Sequence, residues 1–272
     1  MDADLIINGS SKALVQVSPF ILDSILKSNS YNLGLDGTSF IPQKLQYDLF
    51  RKYNHKPELV IQIVSHSTLV KSQALSGAVK FAPYLDNTEV EDVTRRYVSF
   101  SNYDYLLPLI KYSGDPSAIV NGILNFIGLD AKKDSRYKGY LEKDVAWDYS
   151  FEKFIETNEN GILIHLDSTS IDLFEKYIAK CKEDRVNIVL VYPPTYFESQ
   201  NYIVNLTDII AYYNNVSTEY QVPFLNYSKN EISFLKKYFY NSQHLNKKGA
   251  ELFSERLALD LDSLKLMTRS KK

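Results

Sequence analysis

The stretch from Leu5 to Ser11, Leu-Ile-Ile-Asn-Gly-Ser-Ser, is the part of the sequence that decides the predicted fold. Its three apolar residues are typical of a short buried strand, and Asn8 and Gly9 are typical of the turn that ends one. Open α/β sheets bind ligands at the carboxyl ends of their strands, where Ser11 would lie. On this stretch alone, a turn glycine and a helix-capping serine are the more ordinary interpretation.

Outward from this stretch, short apolar segments alternate with segments of helical spacing. The alternation predicts a parallel sheet covered on both faces by helices, which is a three-layer α/β/α fold. Further strands are predicted at residues 31–33, 59–64, 187–192 and 223–225. Helices are predicted from Pro19 after the cap Ser18, over 41–52, from Ser170, over about 204–218, and after the cap Asn246.

The segment at about 83–153 interrupts this rhythm. It is rich in tyrosine, contains Arg95, Arg96 and Trp147, and has no clear strand. We interpret residues 1–272 as a single domain with a mostly helical, aromatic-rich insertion at about 83–153. We expect the insertion to overhang the strand ends beside Ser11, with aromatic faces that stack on sugar rings and arginines that meet acidic groups. Arg95, Arg96 and Trp147 are therefore the candidate substrate-binding residues.

The composition excludes several classes of protein. The chain has 272 residues and a formal net charge of -2, which argues against a nucleic-acid partner. Cys181 is the only cysteine, so there is neither a disulfide framework nor a cysteine-based zinc site. No HExxH, paired CxxC or Gly-x-x-x-x-Gly-Lys motif occurs, and we expect no metal and no cofactor. No stretch reaches the roughly 18 to 20 apolar residues that span a bilayer.

Two further loops carry residues that suit catalysis. The loop from Asn32 to Thr38 contains Gly37, whose backbone N–H could approach a substrate carbonyl. The loop from Asn241 to Ala250 places His244 just before the last predicted helix. Taken singly, each is more simply explained as an ordinary loop and a structural histidine.

Taken together, the three segments resemble the SGNH/GDSL hydrolase superfamily. The resemblance consists of Gly-x-Ser near the start, Gly-x-x-Gly after the second strand, and His-Leu-Asn-x-x-Gly-Ala before the last helix, in the family's order across nearly the whole chain. The Gly-Ser-Ser of the first block and the Val191 to Pro194 strand end are similar to an extracytoplasmic branch linked to polysaccharide or teichoic-acid acylation. The resemblance implies a flavodoxin-like fold.

The resemblance also implies catalytic roles. Ser11 would be the nucleophile, His244 its general base, and the backbone N–H groups of Ser11 and Gly37 the oxyanion donors. The reaction would be acyl transfer through an acyl-serine, completed by water or by a sugar hydroxyl.

Two departures from the family pattern bear on activity. The residue three positions before the histidine is Asn241 where the family usually has Asp, so we expect weaker activity if Asn241 orients the ring. The third block, Gly-x-Asn-Asp, is replaced by Val64-Ser65-His66-Ser67. Ser65 or His66 is the candidate for the third oxyanion donor, although a structural or exposed His66 is the more ordinary interpretation.

We predict a serine esterase or O-acyltransferase that acts on an acylated, in particular acetylated, cell-surface glycan. The competing hypothesis is an SGNH-fold binding or scaffold protein that has lost catalysis and takes part in surface-polymer modification. The expected partners are the glycan or another acylated small substrate, together with a membrane acyl-transfer partner. Because an apolar strand begins at Leu5, we also expect an upstream anchor or signal and a location outside the cytoplasm.

Overall fold

The protein is described from a computed structural model that covers residues 2–72, 74–107, 110–112, 120, 124 and 136–267. The chain forms two compact units, residues 1–71 with 136–272 and residues 72–135. Residues 136–153, which the sequence analysis assigned to the insertion, are in the first unit. The organisation as a single domain with an insertion stays a prediction.

The first unit is built on a parallel sheet. The strands β1 to β5 lie in the order β2-β1-β3-β4-β5, and every neighbouring pair is parallel. This order is that of flavodoxin-like doubly wound folds. A separate antiparallel hairpin, β6-β7, was not predicted from the sequence. The strands are β1 Leu5–Asn8, β2 Ser30–Asn32, β3 Leu59–Ile63, β4 Asn187–Tyr192, β5 Phe224–Asn226, β6 Phe239–Asn241 and β7 His244–Leu245.

Helices cover both faces of the sheet. Successive side chains of a strand point to opposite faces, so Ile6 joins one apolar core and Leu5 and Ile7 join the other. The first core packs against α3, α7 and α9, and the second against α1, α2 and α10. The three-layer α/β/α prediction is therefore confirmed. The helices of this unit are α1 Ser11–Gln16, α2 Pro19–Leu26, α3 Phe40–Tyr53, α6 Ser150–Thr157, α7 Ser168–Glu183, α8 Phe197–Gln200, α9 Leu206–Tyr220 and α10 Lys247–Leu264.

The helix starts show where the sequence signals were right and where they were not. Asn246 caps α10, since its side-chain oxygen accepts from the Gly249 N–H at 3.1 Å. Ser18 precedes α2 as predicted, but its side chain makes no capping hydrogen bond. The prediction that Ser170 opens α7 is wrong by two residues, because the helix begins at Ser168. Asp167 is the cap, because its carboxylate accepts from the Ser170 N–H at 2.8 Å.

The second unit is helical over its described residues. It contains α4, Thr88–Thr94, which Asn87 caps, and α5, Asn102–Leu106, together with short 3-10 turns. Within the described ranges of the whole chain, no helix combines the length and the apolar character that crossing a membrane requires.

The loop after β2 is fixed to the segment that carries Ser11. The Asn32 side-chain amide donates to the carbonyls of Ala13 and Val17, at 2.7 and 3.0 Å, and its oxygen accepts from the Gly34 N–H at 2.8 Å. Gly34 lies so close to α1 that a Cβ there would be 2.4 Å from the Leu14 nitrogen. The loop that leads to Gly37 is therefore positioned by direct contact with the first helix.

Asn32→Asp should lower the free energy of unfolding by about 3 kcal/mol or more. The substitution removes two donors and leaves a buried oxygen facing two carbonyl oxygens, each of which loses the hydrogen bond from Asn32. Asn214→Asp is the matched control, because that exposed amide donates a single helix-surface hydrogen bond, to Ile210. Urea unfolding of the two variants measures the difference. Equal costs at the two positions would contradict the clamping role of Asn32.

Candidate active site

Ser11 lies where β1 turns into α1. Gly9 makes the turn with φ +153°, and a Cβ there would be 2.8 Å from the Ile63 Cβ and 2.9 Å from the Ala13 Cβ. Only glycine allows β1, β3 and α1 to meet this closely. The Ser11 Oγ is 2.7 Å from the His244 Nε2, although 233 positions separate the two residues. The structure thus brings together the serine and histidine that the sequence singled out.

His244 is held by the β6-β7 hairpin. Its Nδ1 is 2.9 Å from the Asn241 Oδ1, which also accepts from the Gln243 N–H at 3.0 Å. Because an amide oxygen can only accept, Nδ1 carries the ring hydrogen and Nε2 presents its lone pair to Ser11. This is the tautomer that a general base requires. Asn241 thus makes the ring contact that the resemblance implies for the residue at this position, and its role in the reaction stays a prediction.

An aromatic ring fixes the remaining freedom of the imidazole. Tyr240 stacks on His244 with ring centroids 5.4 Å apart and planes inclined by 7°. The Tyr240 carbonyl accepts from the Asp148 N–H at 2.8 Å, which ties the hairpin to the segment of Trp147 and Asp148. No feature of the sequence around Tyr240 marks it as a stacking partner of His244.

The electrostatics of the site disfavour a charged imidazole. Burial, aided by the positive charges of Lys12 and Lys143, lowers the pKa of His244 to about 3, and Asp148 opposes this shift. Within the described part of the chain, no carboxylate forms a hydrogen bond with the ring. The base is therefore in its free form at neutral pH, but it lacks the carboxylate that stabilises the cation in Ser-His-Asp triads.

Lys12, next to Ser11, is a site residue that the sequence analysis missed. Its side chain is buried, and its ammonium donates to the Thr195 Oγ1 at 2.8 Å. Burial lowers the pKa of Lys12 to about 7. A lysine directly before the mostly apolar segment Ala13 to Val17 was the available signal, because charged side chains rarely enter a core without a partner.

The predicted oxyanion donors differ in their surroundings. Gly37 is exposed in a left-handed turn at φ +67°, and its N–H donates no hydrogen bond within the described part of the chain. Ser65 is buried, and its N–H donates to the Thr68 Oγ1 at 2.8 Å. Its hydroxyl lies within a local network with Ser67 and Thr68. The hydrogen bonds described for Ser65 do not include Ser11 or His244, and its oxyanion role stays a prediction.

His66 is half-buried and has an unusual environment for a histidine. Its Nδ1 is buried and has no hydrogen-bond partner in the described structure. Burial, followed by the positive charge of Lys12, lowers the pKa of His66 to about 3. The ring is therefore neutral at physiological pH and lies in the electrostatic field of the lysine beside Ser11.

The three predicted substrate-binding residues lie in different units. Arg95 and Arg96 are in the second unit, where Arg95 pairs with Glu91 and covers the Tyr105 ring at 4.0 Å. Trp147 is in the first unit, where its Nε1 donates to the Glu152 carboxylate and Lys236 lies 4.3 Å from its ring centre. Their contact with substrate stays a prediction.

The described residues offer neither a group of metal ligands nor a reactive thiol. No group of three His, Cys, Asp or Glu side chains in these ranges is arranged to hold a metal ion. Cys181 is buried, and burial raises the pKa of its thiol to about 11, so it is a poor nucleophile.

Comparison with known proteins gives distant structural similarity. No family model and no curated protein matches the sequence. Among the similar solved structures is the acetyl xylan esterase AlAXEase, with 10% identity, TM-score 0.45, and coverage of 97% of this chain and 99% of that one. A GDSL-like lipase from Bacteroides thetaiotaomicron has 11% identity, TM-score 0.41, and coverage of 97% and 88%. A family two carbohydrate esterase from Clostridium thermocellum has 10% identity, TM-score 0.40, and coverage of 97% and 65%.

His66 should make the protein sensitive to acid. Above pH 6.5, the pKa of an unfolded histidine, His66 is neutral in both the folded and the unfolded protein, so it does not change stability with pH. As the pH falls from 6.5 toward 3, His66 takes up a proton in the unfolded protein but stays neutral in the folded one, and the folded state becomes less stable. Stability is lost at up to about 1.4 kcal/mol per pH unit in that window. His66→Gln should therefore lose less stability than the wild type between pH 7 and pH 4.5 in urea unfolding. His165→Gln, at an exposed site, is the control and should follow the wild type. Parallel pH curves for all three proteins would contradict the assignment.

Proposed function

We propose that the chain is a serine ester hydrolase of the SGNH type, with Ser11 as nucleophile, His244 as general base and Asn241 as the residue that orients the base. The observation that carries the proposal is the 2.7 Å contact from the Ser11 Oγ to the His244 Nε2, with Asn241 on the other ring nitrogen. A serine with this contact and this tautomer is arranged to lose its proton to the ring.

The reaction would proceed in two halves. Ser11 attacks the ester carbonyl while His244 takes the hydroxyl proton, and the resulting oxyanion accepts hydrogen bonds from the N–H groups of Ser11 and Gly37. Collapse of this intermediate releases the alcohol, which receives the proton from His244, and leaves an acyl-serine. Water then attacks the acyl-serine while His244 takes one of its protons. Collapse of the second intermediate releases the acid, and His244 returns the proton to Ser11. A sugar hydroxyl in place of water would make the reaction an O-acyl transfer.

We propose that the substrate is an acetylated or otherwise acylated cell-surface glycan, met outside the cytoplasm, with a membrane acyl-transfer partner in the transfer version. Aromatic rings support a carbohydrate ligand. Tyr149 is 66% exposed, and its neighbour Asp148 is hydrogen-bonded to Tyr240, which stacks on His244. The resemblance of the Gly-Ser-Ser block to the extracytoplasmic branch supports the location.

A second candidate function is a binding or scaffold protein with little or no catalysis. The neutral Asn241 and the lowered pKa of His244 favour it, because the imidazolium formed during attack has no carboxylate hydrogen-bonded to it in the described structure. The two candidates differ in whether Ser11 reacts at all.

Ser11→Ala should abolish hydrolysis of 4-nitrophenyl acetate and leave the melting temperature nearly unchanged, since a half-exposed hydroxyl contributes little packing. Ser10→Ala is the matched control, because the neighbouring serine makes no capping hydrogen bond. It should keep most of the wild-type rate. Wild-type hydrolysis that persists in Ser11→Ala would remove Ser11 from the mechanism, and a folded wild type inert toward many esters that still binds glycan would favour the scaffold.

Asn241→Asp should raise kcat/KM for the same ester by about tenfold or more. The carboxylate keeps the hydrogen bond to Nδ1 and adds the charge that stabilises the imidazolium, whereas the reverse change in a Ser-His-Asp triad costs roughly 10⁴-fold. The gain should disappear in the Ser11→Ala, Asn241→Asp double variant. If the aspartate form gains nothing, the charge on residue 241 does not limit the reaction.

A further inference from the structure

Lys12 is an unusual residue to find directly after the serine of a serine–histidine pair. It follows Ser11 directly on α1, and only 3% of it is exposed. Its ammonium donates a hydrogen bond to the Thr195 Oγ1 at 2.8 Å and lies 5.7 Å from the centre of the Tyr192 ring. Thr195 and Tyr192 are themselves fully buried. Among the described residues no carboxylate lies within ion-pair distance of Lys12.

The lysine connects the two halves of the site. Thr195 receives the ammonium hydrogen bond, and the next residue, Tyr196, donates its N–H to the Ser242 carbonyl at 3.0 Å. Ser242 lies in the turn between Asn241 and His244, the two residues of the orienting hydrogen bond. One chain of contacts therefore runs from the residue after the nucleophile to the loop that holds the base.

The charges around the base come from several elements. Lys12 on α1 and Lys143 oppose the charged form of His244, whereas Asp148 favours it. Asn241 and Tyr240 of the hairpin, which bond to and stack on the ring, contribute no charge at neutral pH. His66, after β3, also lies in the field of Lys12 and is neutral near pH 7. Of these charged groups, Lys12 has the largest effect on the pKa of His244.

We propose that Lys12 is a positioning residue of the proposed reaction and acts through His244. Its buried ammonium disfavours transfer of the Ser11 proton to His244, and this effect is lost when Lys12 is a neutral amine. The inference rests on the proposed function. Two positive charges in a low-dielectric site repel each other strongly, so the transfer of a proton to His244 is hardest while Lys12 is charged.

This arrangement makes the lysine control the rate near neutral pH. Burial lowers the pKa of Lys12 to about 7, so the side chain loses its charge as the pH rises through that value. His244 is already unprotonated there, because its pKa is about 3. The rate should therefore rise through neutral pH because His244 becomes a stronger base, and not because His244 itself loses a proton.

The first test compares the pH profiles of kcat/KM for 4-nitrophenyl acetate between pH 5 and pH 9. The wild type should rise by about tenfold across neutral pH. Lys12→Met, which keeps the length of the side chain and removes the charge, should be flat there and faster than the wild type by about that factor at pH 6. Thr195→Val, which removes the hydrogen bond and keeps the charge, should retain the rise. Lys12→Gln serves as a second uncharged variant if the methionine form does not fold.

Three outcomes would overturn the proposal. A rise through neutral pH that persists in a folded Lys12→Met or Lys12→Gln protein would show that another group titrates. Lower activity of the uncharged variants at every pH would show that the site needs the ammonium as a cation. A purely structural Lys12 would give equal losses in Lys12→Met and Thr195→Val with no change in the shape of the profile.

The second test does not depend on activity. The ring signals of His244 are followed by NMR from pH 2.5 to pH 8 in Ser11→Ala and in Ser11→Ala, Lys12→Met, with His244→Gln to assign them. The Lys12→Met change should raise the pKa of His244 by about one unit or more. An unchanged pKa would refute the action of Lys12 on the base. If the pKa moves but no ester is hydrolysed by the wild type, the electrostatic coupling stands and the proposed function falls.

Discussion

The site depends on one hydrogen bond, from Ser11 at the end of the first strand to His244 in the last hairpin. The bond can form only because the parallel sheet places the carboxyl end of β1 beside the elements that follow β4 and β5. Gly9 permits the turn that exposes Ser11 at this edge, and α10, capped by Asn246, fixes the other end of the hairpin. The fold of the chain between Ser11 and His244 therefore holds the two side chains at a distance of 2.7 Å.

The electrostatic balance of this contact is unlike that of a Ser-His-Asp triad. Asn241 fixes the ring and its tautomer but supplies no charge, and the buried Lys12 works against the imidazolium. Geometry and charge thus differ in what they favour: the atoms are placed for proton transfer, while the surroundings keep the base weak at low pH. If the proposed role of Lys12 holds, the site would be slow while the lysine is charged and faster once it is neutral.

The sequence predicted the layers well because the strands are short, apolar and buried on both faces. Leu5 to Ile7 and residues 188–192 are continuous apolar runs typical of buried strands. Pro19 at the first helical position and the cap Asn246 predicted the starts of two helices. The resemblance to the SGNH/GDSL superfamily implied that Ser11, His244 and Asn241 act together, and the structure places the three in contact. The hairpin could not be predicted because its strands, of three and two residues, are too short to show an alternation of apolar and polar residues. Tyr240 and Thr195 escaped prediction because their roles come from long-range contacts that neighbouring residues do not encode. Lys12 did carry a local signal, the mostly apolar segment that follows it.

The central claim is that Ser11 is an activated serine, and covalent labelling tests it most directly. The folded protein would be treated with a fluorophosphonate, then weighed intact and mapped by peptide mass. The account predicts a single adduct on Ser11, formed faster as the pH rises through neutrality and lost in His244→Gln. A folded protein that acquires no adduct, or one whose adduct forms at another residue while Ser11 stays unmodified, would contradict it.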